Sequence, residues 1–239
     1  MASNSIEMLN PAKHSKLRVN TKSYNCEQNH VNAASVIINE LSTVVHEYPI
    51  FITKNNNTGD FQLTAILGFS NGENLYLKGD SWQATYLPID VLRRPFQLIR
   101  PDENSTAEGH IAVDMSSTQL QDKKGEMLFD DSGKPTAYLQ RIQKMFSELL
   151  NGSEQTRTLL AKADEFGLIE PVTINIDLND KESTSLNGLY AIKQKAVTEL
   201  KGSALEECHN AGILQVCHLL LSSGIHFDKL IKWKNNLEK

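Results

Sequence analysis

The chain reads as an α+β fold: an N-terminal antiparallel β meander plus a later β-hairpin, packed with a helical hairpin and C-terminal helices. Three observations predict it. Short apolar and β-branched runs broken by Asn, Gly and Asp occupy residues 48–87. From Pro135 the apolar residues recur at three and four, the period of a helix face. Strict alternation then returns over Val172–Leu178, the mark of a strand with one buried face.

The elements follow in order. Tyr48–Thr53 and Phe61–Phe69 flank Asn55–Asp60, whose Asn, Thr, Gly and Asp supply turn chemistry, so they predict a hairpin. A second pair, Leu75–Leu77 and Trp82–Leu87, flanks Lys78–Ser81, and Asn71-Gly72 joins the two pairs into a meander that Pro88 ends. Tyr138, Leu139, Ile142, Met145, Phe146, Leu149 and Leu150 line one helical face, with Pro135 at its start and Asn151-Gly152 at its end. A second helix, Ser153–Phe166, opens on Ser153-Glu154 and closes at Gly167, which makes a pair of antiparallel helices. Val172–Leu178 pairs with Leu186–Ile192 across a turn at Asn179–Ser183. Ser203-Ala204-Leu205-Glu206 has the pattern of a capping box, and the helical period continues with breaks near Gly212 and Gly224 into a basic helix over Phe227–Lys239. No internal repeat or long linker divides the chain, so 1–239 is expected to form a single domain.

Composition narrows the function classes. A formal net charge of −5 argues against a protein that coats nucleic acid, because phosphate binding draws on clustered Lys and Arg. Eight acids fall between Pro101 and Gly133 against Lys123 and Lys124 alone, which reads as a solvated acidic segment or an acidic docking surface. Three cysteines, Cys26, Cys208 and Cys217, without CxxC spacing, fit a reducing compartment. The start lacks the apolar run of a secretory signal, and no stretch reaches the roughly 20 apolar residues of a membrane span. A cytoplasmic location is therefore expected.

Local signatures of catalysis are missing: the chain has no GxxxxGK(S/T), GxGxxG, HExxH or GxSxG. No cofactor or metal is expected. Cys208-His209 and Cys217-His218 recur nine residues apart, which on one helix puts them on opposite faces, so Cys217 and His218 read as buried structural residues. The candidate binding surface is Trp82, Tyr86, Arg93, Arg94 and Phe96, because aromatics with arginine are usual anchors of interfaces and paired guanidiniums hold carboxylates or phosphates. The competing reading makes the aromatics core residues and pairs the arginines with the acidic segment that follows. The basic C-terminal helix, with Lys229, Lys232 and Lys234, is expected to be solvated and packed by one face.

Several strings taken in order resemble the bacterial SapC family: LNPAKHSKLRV, HEYPIFITKN, FQLTAILGF with GENLYL, W-x-A-x-Y-L-P followed by RRPF, LFDDSGKPTAYLQRI, and LIEP with GLYAI. GILQ and LIKWKN resemble that family's ending, so the resemblance runs from about Leu9 to Asn235. It implies an accessory role in a peptide-modification or uptake system, because family members stand beside genes for halogenases, cupin-like oxygenases and outer-membrane receptors. It assigns no catalytic residues. The leading expectation is a non-catalytic binding or accessory protein that engages a peptide or protein. The alternatives are an enzyme with a dispersed site drawn from His46, Glu73, Arg93 and Asp114, and a surface-layer component.

Overall fold

A computed structural model describes residues 5–99, 109–178 and 184–237. In chain order the elements begin with β1 (Ile6–Met8), α1 (Pro11–His14), β2 (Arg18–Val19), β3 (Ala33–Val36), α2 (Ile38–Val44), β4 (Ile50–Lys54) and β5 (Phe61–Ile66). Then come β6 (Leu77–Lys78), β7 (Ser81–Trp82), α3 (Ile89–Leu92), β8 (Phe96–Ile99), β9 (His110–Asp114), β10 (Leu120–Gln121) and β11 (Glu126–Met127). The rest is α4 (Ala137–Glu165), β12 (Ile169–Ile176), β13 (Thr184–Ile192), α5 (Gln194–Glu199), α6 (Gly202–Asn210), α7 (Ile213–Ser223) and α8 (His226–Leu237). Helices and strands mix, and among the described residues every strand pairing is antiparallel, which makes the fold α+β.

The chain gathers into two compact units. The first comprises residues 1–30, 77–83 and 89–149. Its sheets run β1-β9-β8 and β10-β2-β11, beside the two-stranded ribbon β6-β7. Phe96 and Val113, opposite one another on β8 and β9, join Val19, Leu128 and Phe129 and the α4 face of Tyr138, Leu139, Ile142 and Phe146 in one buried cluster. That face has the three-and-four spacing read from the sequence.

The second unit comprises residues 31–76, 84–88 and 150–239. Its five-stranded sheet has the order β12-β13-β4-β5-β3. Both expected hairpins are present: Ile52 stands opposite Leu63 in one, and Val172 opposite Leu189 in the other. Ile52, Leu63 and Leu189 are buried, and along the alternating run Ile176 is buried and Val172 and Ile174 half-buried while Thr173, Asn175 and Asp177 are exposed. α7 lies against β13, β4 and α2.

Four expectations are corrected. The meander stops after its first hairpin, because the β6-β7 pair has only two residues on each strand and forms a ribbon of its own. The helical hairpin is one 29-residue helix, α4, running through Asn151 and Gly152. Gly152 reads as a helix end, but its role is close approach: a Cβ there would lie 2.6 Å from Ile37 Cδ1 and 2.9 Å from Asn39 Oδ1. The capping box at Ser203 does not form, since α6 starts at Gly202 on Lys201 without a side-chain cap. Finally, Cys217 is buried as expected but His218 is exposed, because the apolar stripe of α7 runs through Ile213, Val216, Cys217 and Leu220. The turn at Asn179–Ser183 lies outside the described residues, as do Asp102, Glu103 and Glu108 of the acidic segment and Lys239 of the last helix.

Candidate functional site

An open groove of about 930 Å³ lies in the first unit. Two distant stretches line it: Pro11, Ala12, Ser15, Lys16 and Arg18 from α1 and β2, and Asp122, Met127 and Asp130–Gly133 from the region around β11. Its size falls in the range of ligand-binding clefts.

Local chemistry sets each side. Pro11 occupies the first turn of α1, and the side chain of Asn10 caps it by accepting from the Ala12 amide at 2.9 Å. His14 turns inward and is 2% exposed. Its Nδ1 accepts from the Asn10 amide at 3.0 Å, so Nε2 carries the hydrogen and donates to Glu7 Oε2 at 3.1 Å. Glu7 also receives Lys13 Nζ at 2.6 Å; the bond from Lys13, then that from His14, holds its carboxyl below the usual range. With His14 anchored inside, Ala12, Ser15 and Lys16 are left on the outer side.

On β2, Arg18 donates from Nη1 to the Gly125 carbonyl at 3.2 Å. Gly125 has φ +106°, and a Cβ there would run into the Val19 carbonyl. Only glycine therefore brings this carbonyl to Arg18.

The segment after Leu128 is a closed turn, with a bridge between Phe129 and Pro135 and the Asp130 amide donating to the Lys134 carbonyl at 2.9 Å. Asp130 Oδ1 accepts from the Ser132 hydroxyl at 2.7 Å and from the amides of Ser132 and Lys134, each at 2.9 Å. The Ser132 hydroxyl bond and then the Lys134 amide hold its carboxyl below the usual range. Asp131 sits on this turn, exposed. Lys16, Arg18, Asp122, Asp130 and Asp131 thus place both signs of charge on one groove, and among the described residues no ion pair joins them.

The aromatic and arginine residues singled out in the sequence lie elsewhere. Trp82 is 8% exposed on β7, with its ring edge-on to Tyr24 at 6.3 Å. Phe96 is buried in the first unit's cluster, which also holds Val19, Leu128 and Phe129, chain neighbours of the groove-lining Arg18, Met127 and Asp130. Arg93 donates from Nε and Nη2 to Asp90 Oδ1 at 3.0 and 2.6 Å and from Nη1 to the Phe96 carbonyl at 2.7 Å. Arg94 reaches Asp90 Oδ2 at 2.9 Å, the Gln28 carbonyl at 2.6 Å and Asn29 Oδ1 at 2.9 Å. The arginines' acidic partner is Asp90, not the segment that follows. Burial raises the Asp90 carboxyl, but the two guanidiniums outweigh it and hold it below the usual range.

Tyr86 belongs to the second unit, where its hydroxyl donates to Glu40 Oε2 at 2.9 Å and its amide to Glu47 Oε1 at 2.9 Å. There α8 is fixed by Lys234 pairing with Glu73 at 2.7 Å and by Lys229 donating to the Glu47 carbonyl at 2.5 Å. The Lys229 ammonium lies 4.9 Å from the Tyr76 ring and 5.0 Å from that of Trp233, and burial lowers its pKa. Lys229 and Lys234 tie the helix down, while Lys232 is exposed and Phe227 and Leu230 are buried, so α8 packs by one face as expected. Of the residues proposed for a dispersed catalytic site, His46 and Glu73 belong to the second unit and Arg93 and Asp114 to the first. None of the four lines the groove.

A sequence model of the SapC family matches residues 9–230. The chain belongs to the SapC family. Comparison of this SapC chain with curated proteins, and of its structure with solved ones, returned no match. Two stretches that carry the resemblance, LNPAKHSKLRV and LFDDSGKPTAYLQRI, are the ones that supply Pro11–Arg18 and Asp130–Gly133 to the groove. The sequence displays both strings but no sign that they meet, since more than 100 positions separate them. Among its described residues, this SapC chain has no helix long and apolar enough to cross a membrane.

Proposed function

We propose that this SapC-family chain is a non-catalytic binding or accessory protein that holds a peptide, or an extended segment of a protein, in the groove between α1–β2 and the Asp130 turn. The observation that carries this reading is the convergence of two family-bearing stretches on one open, mixed-polarity groove. It relocates the contact surface from Trp82–Phe96, where Arg93 and Arg94 are engaged by Asp90. Phe96 serves here as support through the cluster it shares with Val19 and Leu128. A peptide modification or uptake system is the setting the family suggests. A cytoplasmic setting accords with Cys26, Cys208 and Cys217, all buried and free.

Selection from a displayed library of random octapeptides tests the reading. Enriched peptides are expected to bind the wild-type chain and to lose binding to Ala12→Trp, which fills the groove from an exposed position. Undiminished binding to a folded Ala12→Trp chain overturns the assignment.

A further inference from the structure

We infer that the groove selects peptide segments carrying both an acidic and a basic residue, in preference to segments of one sign. The inference rests on the peptide-binding reading above and adds the chemistry of the occupant.

The charges that line the groove come in two sets from two parts of the chain. Lys16 and Arg18 arrive on the α1–β2 stretch, and Asp122 and Asp131 arrive on the β10–β11 connection and the turn after Phe129. Opposite charges in one concavity would ordinarily neutralise each other, yet no ion pair within 4.0 Å joins any of these four among the described residues. One charge of each sign is placed by the backbone around it. Arg18 is tied to the Gly125 carbonyl, which stands where only glycine fits. Asp131 is carried on a turn that Asp130 closes with three hydrogen bonds. Lys13, the neighbouring cation on α1, is taken up by Glu7, and Lys16 is not. A ligand of one sign meets attraction from one pair and repulsion from the other. A ligand bearing both signs at suitable spacing meets two attractions.

The test uses the full chain and three fluorescein-labelled octapeptides of equal length: one with alternating Lys and Glu separated by Ser and Gly, one with Lys only, one with Glu only. Fluorescence polarisation is read at low salt and at about 1 M salt, where the screening length is about 3 Å. The mixed peptide is expected to bind about tenfold more tightly than either single-sign peptide, as two exposed charge pairs allow, and to lose that margin in high salt. Lys16→Glu is expected to raise affinity for the Lys-only peptide, and Asp131→Lys for the Glu-only peptide. Equal binding of all three peptides, or unchanged preferences in both variants, overturns the charge reading and leaves the peptide-binding function standing. Failure of every peptide to bind, library-selected ones included, overturns both.

Discussion

Arg94 shows how a residue that looks like a ligand contact can be part of the scaffold. Its side chain is 10% exposed and joins Asp90 to the Gln28 carbonyl and Asn29. Removing it leaves Asp90 with Arg93 as its guanidinium partner and takes the donor from the half-buried Gln28 carbonyl, so Arg94→Ala is expected to cost about 2–3 kcal/mol. Urea unfolding followed by Trp82 fluorescence in a Trp233→Phe background checks this, and a loss below about 0.5 kcal/mol would contradict the buried-network account. The sign with pH is fixed by Asp90. Its folded pKa is depressed, so its contribution is complete above the ordinary value of about 3.9 and is lost as pH falls through the folded one. The use of Arg93-Arg94 as scaffold and not as a ligand clamp is hard to read from the sequence because the four-residue helix α3 is too short to show a period. Asp90, three and four residues upstream, was within reach of an i,i+3/i+4 reading, had the short helix α3 been recognised.

At the level of elements, period was legible and interruptions were not. The α4 face, the Asn55–Asp60 hairpin and the β12-β13 pair follow directly from apolar spacing. The break read at Asn151-Gly152 failed because glycine there serves a neighbour, Ile37, and not the helix's own end. Gly152→Ala separates the two accounts. In an exposed helix interior alanine would stabilise by about 1 kcal/mol, whereas here its Cβ overlaps Ile37 and Asn39, and a loss of about 1–3 kcal/mol is expected. Thermal unfolding measures which sign holds. Strands of two residues, such as β2, β10 and β11, were illegible for a different reason. They are too short to show any period, and they exist because long-range pairings hold them, Val19 opposite both Leu120 and Glu126. The groove is built on these strands, which is why the site was less readable than the fold.

For the molecule as a whole, neutral pH is expected to be more favourable to folding than mildly acidic pH. Burial, then the Lys229 charge, lowers the pKa of His226, whose Nε2–H donates to the Val45 carbonyl at 3.0 Å. Between that lowered value and the ordinary one of about 6.5 the unfolded chain binds more protons, so stability rises with pH through this window. His226→Gln keeps a donor but does not titrate, and is expected to flatten this part of the stability curve in urea titrations between about pH 5 and 7. The chain has two tryptophans, and they fall one to each unit: Trp82 beside Tyr24 in the first, Trp233 5.2 Å from Tyr76 in the second. The protein therefore carries a built-in optical reporter for each unit. Replacing either indole by Phe leaves one fluorophore and one transition to follow, and coincidence of the two melting curves is the signature of a single cooperative domain.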